Sequence, residues 1–290
     1  MAQPRVSIVI PSFQNAAYIE RTMESVLAQT FTEFELVVAD HQSSDGTWEL
    51  LQQYAGDDRV RLMQTPTGGG APANWERVTA QARAPYLKLV PGDDVLYPTC
   101  VEQQVRALDQ HPSAVVASVR RDLIDPADGV LLKGRGHGRL HGVVPGEQAI
   151  RELVRSGANL LGEPGCVMIR TAVLRQVGGW TSAYPFLIDQ VTYMKALRYG
   201  DLLAQDTVAA AFRVSSTQWS VRLAREQAGQ AHAAHRYFRQ TVPSAVSRGD
   251  ELIGNARATG TAWLRRLAYA VWRRRISISS AQQGLSERVH

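Results

Sequence analysis

Over its first 90 residues the chain alternates short apolar runs with helix-patterned stretches, and that alternation leaves few folds open to it. Arg5-Val-Ser-Ile-Val-Ile10, Phe34-Glu-Leu-Val-Val-Ala39, residues 59–63 and Tyr86-Leu-Lys-Leu-Val90 are runs of five or six residues rich in β-branched and apolar types, as buried strands are. Between them, residues 16–29, 47–54 and 74–82 read as helices. In the first, Tyr18, Ile19, Met23, Val26 and Leu27 recur near helical spacing, and Asn15 stands where a side chain can cap the helix. The order βαβαβαβ predicts an α/β fold with a mainly parallel central sheet, right-handed crossovers and flanking helices.

Downstream, residues 98–110 read as a helix and 114–120 as a strand. Gly129–Gly146, rich in Gly, Arg and His, reads as a mobile loop or loose hairpin. A strand at 166–170, a helix at 171–177 closed by Gly178-Gly179, a helix from Asp189 to Leu197 and a last strand at 208–212 follow. From Trp219 onward only helical patterns occur, broken near Pro243 and Gly260. A length of 290 residues suffices for one substantial core plus an extension. The net charge of +5 is uneven: from Val221 onward there are 12 Arg, no Lys and 4 acids, a local +8 that leaves −3 on the first 220 residues. The basic character therefore belongs to the tail. No apolar run is long enough to span a membrane, and no charged-then-apolar leader precedes the first strand. Cys100 and Cys166 lie in apolar surroundings and read as buried thiols, in a chain expected in the cytoplasm.

Chemistry is suggested where strands end. The run at 86–90 stops at Pro91-Gly92, and Asp93-Asp94 follow at once, at the carboxyl edge where open α/β sheets bind ligands. Adjacent carboxylates repel unless a cation or donor groups compensate them, and a hard divalent metal that also grips phosphate would do so. The plain alternative is a solvated turn capping the next helix. Asp40 closes the second strand and could accept the imide N–H of a uracil or thymine; a loop-starting Asp is the simpler reading. Gly68-Gly69-Gly70 lacks the following Lys-Ser/Thr of a P-loop and reads as a place where backbone passes close to a ligand. His137 and His141 have metal-ligand spacing, but the glycines around them favour a loop that closes over ligand.

These segments together resemble a known family. Val6-Ser-Ile-Val-Ile-Pro-Ser-Phe-Gln-Asn15, the helix reaching Ser25-Val-Leu-Ala-Gln-Thr30, Phe34–Asp40, Ser43-Ser-Asp-Gly-Thr47, Gly68-Gly-Gly-Ala-Pro-Ala-Asn74-Trp-Glu-Arg77 and Leu87-Lys-Leu-Val-Pro-Gly-Asp-Asp94 are similar, in order and spacing, to the family-2 inverting glycosyltransferases of GT-A fold. The resemblance continues through Gly178-Gly-Trp180, Asp189 and Phe212-Arg213, over about the first 215 residues. It implies a GT-A domain over 1–216, with a nucleotide-binding half (1–97) and an acceptor-binding half (98–216), followed by a basic helical extension over 217–290. It implies that Pro11 and Phe13 shape the nucleobase slot, that Asp40 holds the pyrimidine, and that Asn74 and Arg77 support the donor. Asp93 would sit near the ribose or the metal's water shell, Asp94 would coordinate Mg²⁺ or Mn²⁺, and Asp189 would be the catalytic base. The chain departs from the family where His41 and Gln42 replace an acid and a Gly, where Pro91 replaces the earlier acid of the metal motif, and where Ser215 replaces a common His.

The resemblance thus implies transfer of a sugar from a UDP- or dTDP-linked donor to a hydroxyl on a glycan, lipid-linked oligosaccharide or natural product. Two rivals stand beside it. A degenerate nucleotide- or glycan-binding protein is favoured by His41 and Pro91. A sugar-phosphate nucleotidyltransferase would need a basic Gly-rich loop after the first strand, where Pro11-Ser-Phe-Gln-Asn15 stands instead. The Arg-, Trp- and Leu-rich stretch 263–275 could lie on an anionic membrane at its inner face, or pack on the core or on a second copy in a homo-oligomer. No nucleic-acid module accompanies its arginines.

Overall fold

The computed structural model describes residues 3–66, 68–215 and 226–286. In chain order its elements are β1 (Val6–Ser12), α1 (Ile19–Leu27), β2 (Phe34–Asp40), α2 (Thr47–Gln52), β3 (Val60–Gln64), α3 (Gly70–Thr79), β4 (Tyr86–Leu89) and β5 (Val95–Leu96). There follow α4 (Cys100–Gln110), β6 (Ala114–Ile124), β7 (Val130–Arg135), β8 (Gly142–Val144), α5 (Gly146–Ser156), β9 (Val167–Arg170), α6 (Thr171–Gln176), α7 (Ile188–Ala196) and β10 (Asp201–Arg213). Two helices close the described chain, α8 (Gln227–Thr241) and α9 (Arg248–Ser286).

The strands form one sheet in the order β3-β2-β1-β4-β9-β6-β10-β5, with β7 beside β6 and β8 beside β10. Every pair from β3 to β4 is parallel, as the βαβ alternation requires. All seven residues of β1 are buried, because helices cover both faces of the sheet there. Helix α1 packs through Ile19, Thr22, Met23 and Val26, the three-and-four spacing visible in the sequence.

The sheet is mainly parallel, as expected, and its antiparallel pairings fall in the second half. There β9 runs antiparallel to both β4 and β6, while β10 is parallel to β6 and antiparallel to β5 and β8. Strand β10 spans 13 residues rather than the expected five; register shifts along it against β6 interrupt the periodic signal. The stretch 129–146 is not one loop, since it holds β7 and β8. Inside it His137 is fully buried and shares a 2.8 Å hydrogen bond with Ser118 Oγ, whereas His141 lies 3.1 Å from Asp206. Burial, then the nearby Arg120 and Arg121, push His137 down to about 4, so it is neutral. Asn15 is not a side-chain cap: its Oδ1 accepts from Phe13 N–H, and its backbone carbonyl receives the Tyr18 and Ile19 N–H groups. Helix α3 starts at Gly70, four residues ahead of expectation. Cys100 and Cys166 are buried free thiols, as read from their surroundings.

The tail is continuous with the core. Ala231, Ala234, Phe238, Val242, Val246 and Ala258 belong to the same buried cluster as the sheet. Ser247 and Asp250 cap α9 reciprocally: Ser247 Oγ donates to Asp250 Oδ2 at 2.7 Å, and Asp250 N–H donates to Ser247 Oγ at 3.1 Å. Arg151 and Arg155 of α5 also donate to Asp250. Burial alone would raise that carboxyl, but these hydrogen bonds hold it well below the ordinary range. The helix runs through Gly260 without the expected break, and Trp219–Arg225, with the domain boundary near 216, lie outside the described residues. Among the described residues no helix is long and apolar enough to cross a membrane.

Close contact between α9 and α5 depends on glycine. A Cβ on Gly254 would lie 2.2 Å from the Val154 carbonyl oxygen, and one on Gly157 would lie 2.4 Å from the Ala258 nitrogen. Both neighbours are backbone and cannot swing aside. Gly254→Ala should therefore cost about 1–3 kcal/mol, the range for overpacking, and lower Tm in a thermal melt, while Gly260→Ala, which meets nothing within 4 Å, should leave Tm unchanged or raise it.

Candidate active site

The carboxyl ends of β1, β2 and β4 meet through polar side chains that fix three loops against one another. Asp40 is fully buried; its Oδ1 accepts from Ser43 Oγ at 2.5 Å and its Oδ2 from Ser43 N–H at 3.1 Å. Ser43 Oγ in turn receives the Gln14 N–H. Asp45 accepts from Ala16 N–H, Thr47 N–H and Thr47 Oγ. Burial opposes that charge, yet these donors hold Asp45 below the usual carboxylate range. Asn74, also buried, donates to the Ser12 and Ala39 carbonyls and accepts from Thr65 Oγ, joining α3 to the ends of β1 and β2. Arg77 donates to the Pro66 and Gly68 carbonyls, so it braces the glycine loop. Gly92 lets the Asp93-Asp94 turn approach the first loop, since a Cβ there would lie 2.6 Å from Asn15 Oδ1.

A cavity of about 1150 Å³ opens over this edge. Of the residues singled out in the sequence, Pro11, Phe13, Asn74, Asp93 and Asp189 line it; Asp40, Arg77 and Asp94 do not. At two strand ends the wall is formed by a neighbour of the expected acid: His41 in place of Asp40, and Asp93 in place of Asp94. Phe13 is more than half exposed and meets His41 edge-on, with 5.9 Å between ring centroids. Burial, then the Arg77 charge, hold His41 below its ordinary value, which keeps it neutral near pH 7.

Asp94 is buried behind Asp93, and its Oδ1 accepts the Arg213 N–H at 3.1 Å. Burial first, and the adjacent Asp93 charge second, push it well above the usual carboxylate range. Such a pair ionises fully only when positive charge arrives. Among the described residues no group of three or more His, Cys, Asp or Glu could hold a metal alone.

Asp189 stands on the cavity wall at the start of α7, half-buried. Its carboxyl is pushed up to about 7: burial raises it most, Glu163 raises it further, and the Gln190 and Asp189 N–H groups and Arg121 act against the rise. Asn159 Nδ2 approaches Asp189 Oδ2 at 3.4 Å. Arg121, almost wholly buried, pairs with Glu163, and all three residues line the same cavity. Asn159, Arg121 and Glu163 carry no periodic or motif signal in the sequence; only the folding of β6 against the turn before β9 brings them to Asp189.

The strand order and the cleft at its carboxyl edge are those of the GT-A glycosyltransferase fold. A solved structure of residues 1–349 of the Staphylococcus aureus enzyme TarS, in complex with UDP-GlcNAc, aligns with a TM-score of 0.67 over 88% of this chain and 71% of that one, at 17% identity. A mannosyltransferase from Pyrobaculum calidifontis, PcManGT, in complex with GDP-Man and Mn²⁺, aligns over 100% of this chain and 81% of that one, with a TM-score of 0.61 at 15% identity. In sequence, residues 7–178 match the model for glycosyl transferase family 2, and the chain belongs to that family. A Mycobacterium tuberculosis protein of uncharacterised function, MT1568, is 30% identical over 195 residues, 65% of this chain and 60% of that protein. The chain spans about three fifths of the length of the curated relatives it matches first.

The electrostatics around Asp189 give a pH dependence. A raised carboxyl favours the protonated folded state, so the stability it contributes is full below the unfolded value near 4 and is lost as pH rises through about 7. Glu163→Gln removes a neighbouring negative charge and should move the Asp189 titration, followed by carboxyl ¹³C NMR against Asp189→Asn, to lower pH. Asp189→Asn should raise Tm relative to the wild type at pH 8, by a margin that shrinks as pH falls toward 4.

Proposed function

We propose that the protein is a metal-dependent, inverting glycosyltransferase that uses a UDP- or dTDP-linked sugar and a hydroxyl acceptor. The observation that carries this reading is the shared cavity: Pro11, Phe13 and Asn74 at the β1 and α3 side, Asp93 at the end of β4, and Asp189, poised near neutrality, face one space. The structural neighbours described with UDP-GlcNAc, and with GDP-Man and Mn²⁺, support it through their common fold.

In this reading Pro11 and Phe13 border the nucleobase. Asp40, held rigid by Ser43, sets the negative field behind His41, and Asn74 fixes the wall. Arg77 acts by holding the glycine loop that passes the donor. Asp93 would hold a divalent cation through its carboxylate, and Asp94, fixed by the Arg213 N–H, would add its charge from behind. A divalent cation bound there would supply positive charge to the departing diphosphate. Asp189 accepts the proton of the acceptor hydroxyl. The acceptor oxygen forms its bond to the anomeric carbon as the bond to the diphosphate breaks, and the nucleoside diphosphate leaves with the bonding pair. One displacement inverts configuration, and Asp189 retains the proton until solvent removes it. A base with a carboxyl near 7 matches its strength to the task.

Asp189→Asn should reduce transfer about 100- to 10,000-fold while leaving UDP affinity within about twofold. Asp93→Ala and Asp94→Ala should each weaken UDP binding about tenfold or more with Mn²⁺ present and little without it, measured by isothermal titration. Turnover surviving Asp189→Asn, or Mn²⁺ having no effect on the wild type, would exclude these roles. Metal-dependent UDP binding without donor hydrolysis or transfer would favour the binding-protein reading.

Peripheral membrane contact through 263–275 belongs to the same proposal. Leu267 and Val271 are 61% and 77% exposed on α9, within the arginine-rich tail. The full chain should float with phosphatidylglycerol vesicles and not with phosphatidylcholine vesicles, and Leu267→Ser with Val271→Ser should abolish the flotation.

A further inference from the structure

The cavity is larger and more apolar than a donor diphosphate requires. One wall comes from the segment before α7 and from α8 and α9, and is lined by Phe186, Leu187, Ala231, Leu264, Ala268 and Trp272, of which Leu264 is 68% exposed. Leu264, Ala268 and Trp272 recur every fourth residue, so a single face of α9 lies along the cavity. Trp272 reaches the small cluster of Leu123 and Val214 at the ends of β6 and β10, which brings α9 back over the sheet edge. Within this wall stands Gln227, at the first position of α8. It is 6% exposed, and its Oε1 is buried with no hydrogen-bond partner among the described residues. An orphaned buried carbonyl costs about 1–3 kcal/mol unless a ligand donates to it.

We infer that this wall is the acceptor subsite and that the acceptor is an amphiphile. Its hydroxyl-bearing head donates to Gln227 Oε1 within reach of the space that Asp189 faces, and its apolar chain lies along Leu264, Ala268 and Trp272. The inference rests on the glycosyltransferase reading and narrows its acceptor to hydroxyl compounds bearing a hydrocarbon chain. Sugar hydroxyls alone would leave the α9 face wetted. A bare hydrocarbon would leave Gln227 unpaired.

Decyl maltoside, below its micelle concentration, and maltose supply the same head with and without a chain. Titrated into the full protein, decyl maltoside should bind at least tenfold more tightly than maltose. Ala268→Asp and Leu264→Ser should each remove most of that preference, and Gln227→Leu should weaken both sugars about equally. Leu267→Ser, off the cavity-lining face, should change neither. UDP titrated into the same variants reports whether they remain folded and competent for donor. Equal affinity for the two glycosides, or a chain preference that survives both inner-face substitutions, would overturn the inference. UDP binding without chain preference sinks the acceptor subsite alone. Chain preference without UDP binding in the wild type sinks the donor reading and leaves an amphiphile site. Decyl maltoside free in solution against the same glycoside held in phosphatidylcholine vesicles separates a dissolved source of the chain from a bilayer one.

Discussion

The Arg213 side chain holds the two halves of the sheet in the relation that the cleft needs. It is 1% exposed at the end of β10. Its Nε donates to the Asp93 carbonyl, its Nη1 to the Asp125 and Pro126 carbonyls, and its Nη2 pairs with Asp128 at 2.6 Å. Its own N–H serves Asp94, and its guanidinium lies 4.6 Å from the centre of the Tyr18 ring. A guanidinium has donors fixed in one plane, and here they bind the β4 turn to the β6–β7 turn at once. Shortening the side chain would withdraw a donor from the Asp93, Asp125 and Pro126 carbonyls, and a buried carbonyl left unpaired costs about 1–3 kcal/mol. The position of Asp93 on the cavity wall is therefore imposed from the far end of the chain, 120 residues on.

A second buried cationic side chain secures the joint lower down. Strands β4 and β9 pair through only two residue pairs, Tyr86 with Arg170 and Leu87 with Ile169. Beyond these the ladder is replaced by Lys88, fully buried, which donates to the Gly165 carbonyl at 2.7 Å and to Gln104 Oε1 at 2.8 Å. Gln104 passes its own N–H groups to the Cys166 and Ala117 carbonyls. Side chains thus satisfy backbone groups that the short ladder leaves over, and the parallel half is joined to the mixed half without a continuous strand pair. The gap they bridge lies below the turn that carries Asp93, so the cleft sits where the regular hydrogen-bond pattern is thinnest.

This division explains what could be read from the sequence. In the first 90 residues the signals are local: period-two and continuous apolar runs, helical spacing, and Pro-Gly and Ser-Asp-Gly turns. Every strand there, and the placement of Asp40 and Asp93-Asp94 at strand ends, was legible. Which member of each polar turn faces the cavity was not. Alternation fixes side-chain direction only while the strand lasts, and both turns leave the strand before the decisive residue. His41 and Asp93 reach the wall because Ser43 and Arg213 draw their neighbours inward. In the second half the pairings are long-range and broken by register shifts, which hid the length of β10 and the strands within 129–146. Gly260 was a poor stop signal because α9 is held by packing and by the Asp250 cap rather than by propensity.

Withdrawal from water acts on both Asp94 and Asp189, with different consequences. Asp94 is raised by burial and then by the adjacent Asp93 charge, against which the Arg213 N–H and the Arg213 charge act. Asp189 stands against Glu163 and Arg121, two opposite charges that partly offset, and its elevation stops at about 7. The first arrangement favours arrival of a cation with an anionic ligand. The second favours a group that changes protonation near neutral pH. In the proposed reaction, a single cleft holding both would separate charge along its length, with a cation's charge at the end of β4 and a proton accepted at the start of α7. The Arg121–Glu163 pair matters to that separation because Arg121 is almost wholly buried and Glu163 only partly exposed, so salt screens the pair less than it does surface pairs.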